Sequence, residues 1–196
     1  MAKRALRAAF LDRDGVINVD AGYVHQREAF AWVPGVLEAA RRLRELGFAL
    51  VVVTNQSGIG RGYYSSADFL ALTDWMKAEF ARAGAPLAAV YFCPHHPQKA
   101  LPPYRQACQC RKPAPGMLLQ AAEDLGIDLS RSVMFGDKPG DCEAGRAAGC
   151  PERVLLATDG IGAPDIKRAP AATHAAQNLL QAVSSPWFQA FAEENS

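Results

Sequence analysis

The stretch "FALVVVTNQSGIGRG" (residues 48–62) changes character abruptly near Thr54. Its first six residues are all apolar, with no polar residue at alternate positions. That pattern suits a strand covered on both faces, as in a parallel sheet between two helical layers. From Thr54 onward the stretch is polar and glycine-rich, with free backbone N–H groups that can approach an anion. Outward from this stretch, strand-like and helical patterns alternate. Upstream lie "RAAFL" (7–11), a strand, and "PGVLEAARRLRELG" (34–47), an amphipathic helix. Downstream, "SSADFLALTDWMKAEFARAG" (65–84) predicts a helix with Ser65 or Ser66 as N-cap and Gly84 as stop. Next come "LAAVYF" (87–92), a strand; "PGMLLQAAEDLG" (115–126), a helix; "SVMFGD" (132–137), a strand; "GDCEAGRAAG" (140–149), a short helix; and "ERVLLA" (152–157), a strand. A last helical pattern, "AAQNLLQAV" (175–183), closes the series. The alternation implies an α/β fold: a three-layer, Rossmann-like parallel sheet with helices on both faces. The 196 residues fit a single domain spanning 1–196.

Composition narrows the class of function. Apolar content of 49% and charged content of 21% are ordinary for a globular protein. A net charge of +1 exerts no general pull on nucleic acid or anionic membrane. "MAKRALRAAFLDRDG" has no sustained apolar run and makes a poor signal peptide, and no stretch reaches the length of a membrane span. Five cysteines, three of them between residues 93 and 110, fit a reducing cytoplasm and metal binding better than a disulfide framework. No strongly apolar exposed surface is evident, so a monomer is expected.

In open α/β sheets ligands bind beyond the carboxyl ends of the strands. After the first strand comes "LDRDGVINVD", where Asp12 and Asp14 can both face the crevice, because alternate strand residues point the same way. Two carboxylates so close favour a hard cation such as Mg2+ between them. After the second strand Thr54, Asn55, Gln56 and Ser57 supply hydroxyls and amides; later come Arg111 and Lys112; after the fourth strand Asp137, Lys138 and Asp141. Each group alone reads as a polar turn, an exposed basic pair or a helix cap. Together, three acids, a hydroxyl and a lysine at successive strand ends describe a Mg2+-assisted phosphoryl-transfer site.

The order of these motifs resembles the haloacid dehalogenase superfamily, with "DRDG", Thr54, Lys112 and "GDKPGD" in the places of its four motifs. More narrowly, "FLDRDGVINVDAGYVH", "VVVTNQSGIGRG", "YFCPHHP", "CQCRKPAPGML" and "MFGDKPGD" are similar to the D-glycero-D-manno-heptose-1,7-bisphosphate 7-phosphatases, a branch shared with histidinol-phosphate phosphatases. The resemblance implies that Asp12 attacks phosphorus and forms an aspartyl-phosphate. Asp14 would protonate the leaving group and then activate water. Asp12, Asp137 and the backbone carbonyl of Asp14 would hold Mg2+. Thr54 and Lys112 would grip the non-bridging oxygens. Asp141 would steady Lys112 or the metal from behind. It further implies substrate contacts from Asp20, Ala21, Gly22, Tyr23, Asn55, Gln56, Ser57 and Lys138. Arg111 suits the second phosphate of a sugar bisphosphate, since a guanidinium can bind it bidentately. Arg61 is a further candidate from the same glycine-rich loop, weighed against a solvated role. The family's usual cap domain has no insertion long enough to form it here. Residues 18–30 and the loop after residue 93 would therefore shape an open pocket for a small sugar phosphate. Such an enzyme would act in the cytoplasm, in making nucleotide-activated heptose for the lipopolysaccharide core.

The loop itself carries Cys93-x-His95, then Cys108-x-Cys110, four N/S ligands that make a complete tetrahedral set for structural Zn2+; the bland reading is buried cysteines in a proline-rich loop. The resemblance selects His95 over His96. His25, His96, His174, Cys142 and Cys150 are assigned no site, and Trp32, Trp75 and Trp187 are expected to pack. A histidinol-phosphate phosphatase is the near alternative. A zinc-clipped nucleic-acid-binding module is the distant one, opposed by the neutral charge and the lack of a basic helix.

Overall fold

The structure is a computed structural model that describes residues 5–158, 162 and 164–195. Residues 1–4, part of the stretch read as a poor signal peptide, lie outside the described residues.

Six parallel strands form one sheet in the order β3-β2-β1-β4-β5-β6. They are β1 (Arg7–Leu11), β2 (Phe48–Asn55), β3 (Leu87–Cys93), β4 (Val133–Gly136), β5 (Glu152–Leu156) and β6 (His174–Ala176). The strand period of two sorts their side chains between two helical layers. Ala9 and Leu11 of β1, with Phe48, Leu50 and Val52 of β2, face one layer. It comprises α1 (Val36–Glu45), α3 (Ser66–Arg82), α6 (Leu179–Val183) and α7 (Pro186–Glu194). Ala8 and Phe10, with Ala49, Val51 and Val53, face α4 (Gly116–Leu125) and α5 (Pro139–Ala148). The unbroken apolar run of β2 is thus the signature of a strand between both layers.

The helix ends follow local chemistry. Ser65 caps α3 by accepting from Asp68 N at 3.1 Å, while Asp68 Oδ2 accepts from Ser65 N at 2.8 Å, a reciprocal box. Gly126 and Gly149 close α4 and α5 in the left-handed conformation.

Three features differ from the sequence expectation. The tail pattern over 175–183 is two elements: β6 pairs with β5, and α6 begins only after Asn178, whose side chain accepts from Gln181 N at 2.9 Å. A three-residue edge strand has no apolar run to announce it. Next, α7, capped by Ser185 with Pro186 in its first turn, was not anticipated, although it carries Phe188 and Phe191 into the core. Finally, the polar loop after β2 contains a single helical turn, α2 (Ser57–Gly60). Among the described residues, the segment between β1 and α1 holds only a 3-10 turn (Arg27–Ala29), so no cap is inserted there. Trp32 and Trp75 pack, as expected, around Phe30 at ring distances of 4.8 and 5.1 Å.

Candidate active site

The sheet order reverses direction between β1 and β4, and the crevice at their carboxyl ends holds a cavity of about 540 Å³. Asp12, Asp14, Asp20, Gly22, Tyr23, Asn55, Gln56, Ser57, Arg111, Lys112, Lys138 and Asp141 all line it. Thr54 lies beneath this lining, 1% exposed, and Ala21 is not part of it. Asp137, expected in the same lining, is not part of it either: it lines a neighbouring cavity with Leu156 and Thr158.

Asp12 follows β1 directly, its N–H bonded to Phe135 O of β4 at 3.0 Å. The chain then turns through Gly15 at φ +87°; a Cβ there would stand 2.4 Å from Asp137 Oδ2, so only glycine lets this turn pass so close to β4. Carboxylate oxygens of Asp12, Asp137 and Asp141 lie within 4.8 Å of one another. Burial pushes the Asp12 carboxyl up to about 6, with Lys112 opposing and Asp141 and Asp14 adding. Burial likewise pushes Asp137 up to about 7, against the pull of Lys138. Asp137 Oδ1 is buried without a hydrogen-bond partner, while Oδ2 accepts from Thr158 Oγ1 at 3.2 Å. Lys112 Nζ reaches Asp141 Oδ1 at 2.7 Å and Asp12 Oδ1 at 3.0 Å. Burial alone would lower the Lys112 pKa, but these two acids outweigh it and hold the pKa above the usual lysine range. The second Asp141 oxygen accepts from Lys138 N at 3.0 Å. Its two oxygens are thus taken up by Lys112 and the start of α5, while Asp137 Oδ1 has no partner.

The Asp14 side chain points elsewhere. Its Oδ1 accepts from Arg13 Nη2 at 2.9 Å and Asn18 Nδ2 at 3.0 Å, and its Oδ2 from Gln56 Nε2 at 2.9 Å. Arg13, 1% exposed, also donates to Val24 O at 2.6 Å, which ties the segment after β1 to this carboxylate. Sequence reasoning missed Arg13, Asn18 and Tyr64, because ion pairs and packing of this kind have no motif.

Lys112 is delivered by a clamp: its backbone carbonyl accepts from Asn55 Nδ2 at 3.0 Å, and its N–H donates to Asn55 Oδ1 at 3.1 Å. Arg111 donates to His95 O at 3.1 Å. Just behind, Cys93, His95, Cys108 and Cys110 bring their ligand atoms within 4.8 Å of one another. The sulfur–sulfur distances are 3.1 to 3.5 Å, and His95 Nδ1 is 3.6 Å from Cys93 Sγ and 3.4 Å from Cys110 Sγ. A tetrahedron with metal–sulfur bonds of ~2.3 Å has sulfur–sulfur edges of ~3.8 Å, so these edges are a few tenths of an ångström shorter than those of a filled site. His96 is outside this group and accepts instead from Lys99 N at 3.0 Å. Across the mouth, Lys138 Nζ pairs with Asp20 Oδ2 at 3.1 Å. Arg61 is not part of the lining and stands 5.5 Å from the ring of Tyr23.

This chain is similar to known phosphatases over most of its length. It is 50% identical over 155 residues to the D-glycero-beta-D-manno-heptose-1,7-bisphosphate 7-phosphatase of Yersinia pestis, covering 79% of this chain and 82% of that one. With the protein of that name from Escherichia coli K12 it shares 50% identity over 169 residues, 86% of this chain and 88% of the other. The chain belongs to the D-glycero-beta-D-manno-heptose-1,7-bisphosphate 7-phosphatase family. Consistently, residues 109–182 match the HAD-hydrolase-like family profile. The crystal structure of D,D-heptose 1,7-bisphosphate phosphatase from B. bronchiseptica, complexed with magnesium and phosphate, superposes with a TM-score of 0.76 at 29% identity, covering 96% of this chain and 97% of that one. The heptose phosphatase fold expected from the motifs is the fold observed.

Proposed function

We propose that this chain acts as a Mg2+-dependent phosphatase that removes the 7-phosphate of D-glycero-D-manno-heptose 1,7-bisphosphate through an aspartyl-phosphate on Asp12. In this reading it works as a single cytoplasmic domain and a monomer, within nucleotide-activated heptose biosynthesis. Its partner is the small sugar bisphosphate, with no nucleic acid and no membrane involved. Among the described residues, no helix is long and apolar enough to cross a membrane.

The observation that carries the reading is the pair Asp12 and Asp137. Both are buried, both carboxyls are pushed well above the usual range, and one oxygen has no partner. Such a donor set fits a hard divalent cation. Asp12 and Asp137 would hold it, with the backbone carbonyl of Asp14 added by family resemblance. When bound, Mg2+ would neutralise charge on the carboxylate and the phosphate alike.

The chain's own residues account for the rest. Asp12 attacks phosphorus; the P–O bond to the sugar breaks, and the Asp14 carboxyl gives its proton to the departing alkoxide. Asp14, now ionised, takes a proton from water as that water attacks the aspartyl-phosphate, freeing inorganic phosphate and the Asp12 carboxylate. Lys112 places its ammonium beside Asp12, where negative charge redistributes over the phosphate oxygens. Thr54, next to Gln56 at 2.9 Å, would hold those oxygens from below. Arg111 and Lys138, which both line the cavity, suit the second phosphate, with Asp20 to Tyr23 and Asn55 to Ser57 against the sugar.

Cys93, His95, Cys108 and Cys110 would hold a structural Zn2+ with no open position, pinning the loop that presents Arg111 and Lys112. The test is phosphate release from heptose 1,7-bisphosphate, other sugar bisphosphates and histidinol phosphate, with and without Mg2+. The heptose substrate should lead in kcat/KM by about two orders of magnitude or more. A preference for histidinol phosphate, or equal rates after chelation, would reject the assignment.

A further inference from the structure

Tyr64 makes and breaks no bond in this chemistry, yet it forms the cavity wall beside Gln56. Its side chain is 7% exposed and its ring stacks on His25, with centroids 4.7 Å apart and planes 6° apart. The ring fits only because residue 58 is glycine: a Cβ there would lie 2.2 Å from Tyr64 Cε1. Burial pushes the phenol up to about 12, so the hydroxyl stays protonated at any working pH. That hydroxyl donates to Gln56 Oε1 at 2.5 Å. A carboxamide whose oxygen is held there presents its NH2 on the other side. On that side Gln56 Nε2 stands 2.9 Å from both Asp14 Oδ2 and Thr54 Oγ1.

The donors on Asp14 are unevenly shared. Arg13 Nη2 and Asn18 Nδ2 both bond Oδ1, while Oδ2 has Gln56 at 2.9 Å and only a longer 3.3 Å approach from Arg13 Nε. Without a fixed Gln56 the carboxyl could pivot about Oδ1. We propose that Tyr64 is a positioning residue for proton transfer: acting through Gln56, it fixes the orientation of the Asp14 carboxyl that protonates the leaving alkoxide. This rests on the phosphatase reading and deepens it. It also gives Gln56 a duty toward Asp14 and Thr54 beside its place against the sugar.

The need for a proton depends on the leaving group. A sugar alkoxide requires one, whereas p-nitrophenolate departs without help. A misaligned Asp14 should therefore slow poor leaving groups selectively. The experiment measures kcat/KM with Mg2+ for wild type, Tyr64→Phe, Gln56→Ala and the double variant. The substrates are heptose 1,7-bisphosphate and aryl phosphates running from p-nitrophenyl to phenyl. Thermal unfolding reports whether each variant is folded, and Gln56→Asn applies the same leaving-group test without disturbing the Tyr64 ring.

Tyr64→Phe should cost ~10-fold on the heptose substrate, progressively less as the aryl leaving group becomes more acidic, and under ~2-fold on p-nitrophenyl phosphate. In the Gln56→Ala background the same change should add nothing, because the link it breaks is already gone. A uniform loss across all substrates, or a Tyr64→Phe effect that persists in Gln56→Ala, overturns the assignment; the latter would mean that Tyr64 touches the sugar directly. Failure of wild type itself on the heptose substrate would instead reject the underlying phosphatase reading.

Discussion

Asp12 and Asp137 meet at the β1–β4 crevice, and burial is the main reason both carboxyls are pushed up, to about 6 and about 7, against the pull of Lys112 on the first and Lys138 on the second. Their folded values lie above the ordinary 3.8. Without metal, their contribution to stability is therefore complete below about pH 4 and is lost as pH rises through 6 to 7. The metal-free protein should lose on the order of a few kcal/mol between pH 5 and pH 8, and Mg2+ should raise Tm more at pH 8 than at pH 5. Unfolding curves in chelator and in excess Mg2+ at both pH values check this; a pH-independent metal-free Tm would contradict it. Asp12→Asn should lower kcat by about 10³-fold or more while leaving the circular dichroism spectrum unchanged, because it removes the nucleophile and relieves repulsion. Substantial turnover by that variant would rule out the covalent route. Asp12, Asp14 and Asp137 were legible in the sequence because they come just after strands, and Thr54 because it ends an apolar one; Lys112, at the end of the long loop after β3, was legible from the motif that carries it. Arg13, Asn18 and Tyr64 were not, since a buried arginine or tyrosine looks in sequence like any other.

The loop from Cys93 to Lys112 is the element that most depends on something other than packing. It is polar and proline-rich, and its fixed points are the four N/S ligands, the Asn55 clamp on Lys112 and the Arg111 bond to His95. Cys108→Ser should lower Tm by ~5 °C or more and raise KM more than it lowers kcat, because Arg111 and Lys112 lose their anchor. Metal analysis would show less than one zinc per chain, and a fully loaded variant with unchanged Tm would argue against a structural metal. At the same scale, the long periodic helices α1, α3 and α4 and the apolar strand β2 were readable from spacing. The short edge strand β6 and the helix α7 were not: β6 exists through its pairing with β5, and "PWFQAFAEE" shows its apolar face only once there is a sheet to cover.

Over the whole molecule, α7 covers the sheet with Phe188, fully buried against Phe48 at 5.8 Å and Phe135 at 5.7 Å. Phe188→Ala should cost ~3–5 kcal/mol while kcat/KM at low temperature stays near wild type, since no residue of α7 lines the cavity. Denaturant unfolding and steady-state kinetics on the same preparation measure both quantities. The sequence by itself determined the fold class, because an unbroken apolar strand flanked by amphipathic helices has one economical arrangement, and it determined which residues end the strands. It also dictated the residue types that phosphoryl transfer requires. Only the tertiary structure decided which of those residues meet. The reversal of strand order between β1 and β4 sets Asp137 beside Asp12, and the pairing of β2 with β1 brings Gln56 to Asp14. Those contacts link residues far apart in the chain, and their distances depend on packing that no local pattern encodes.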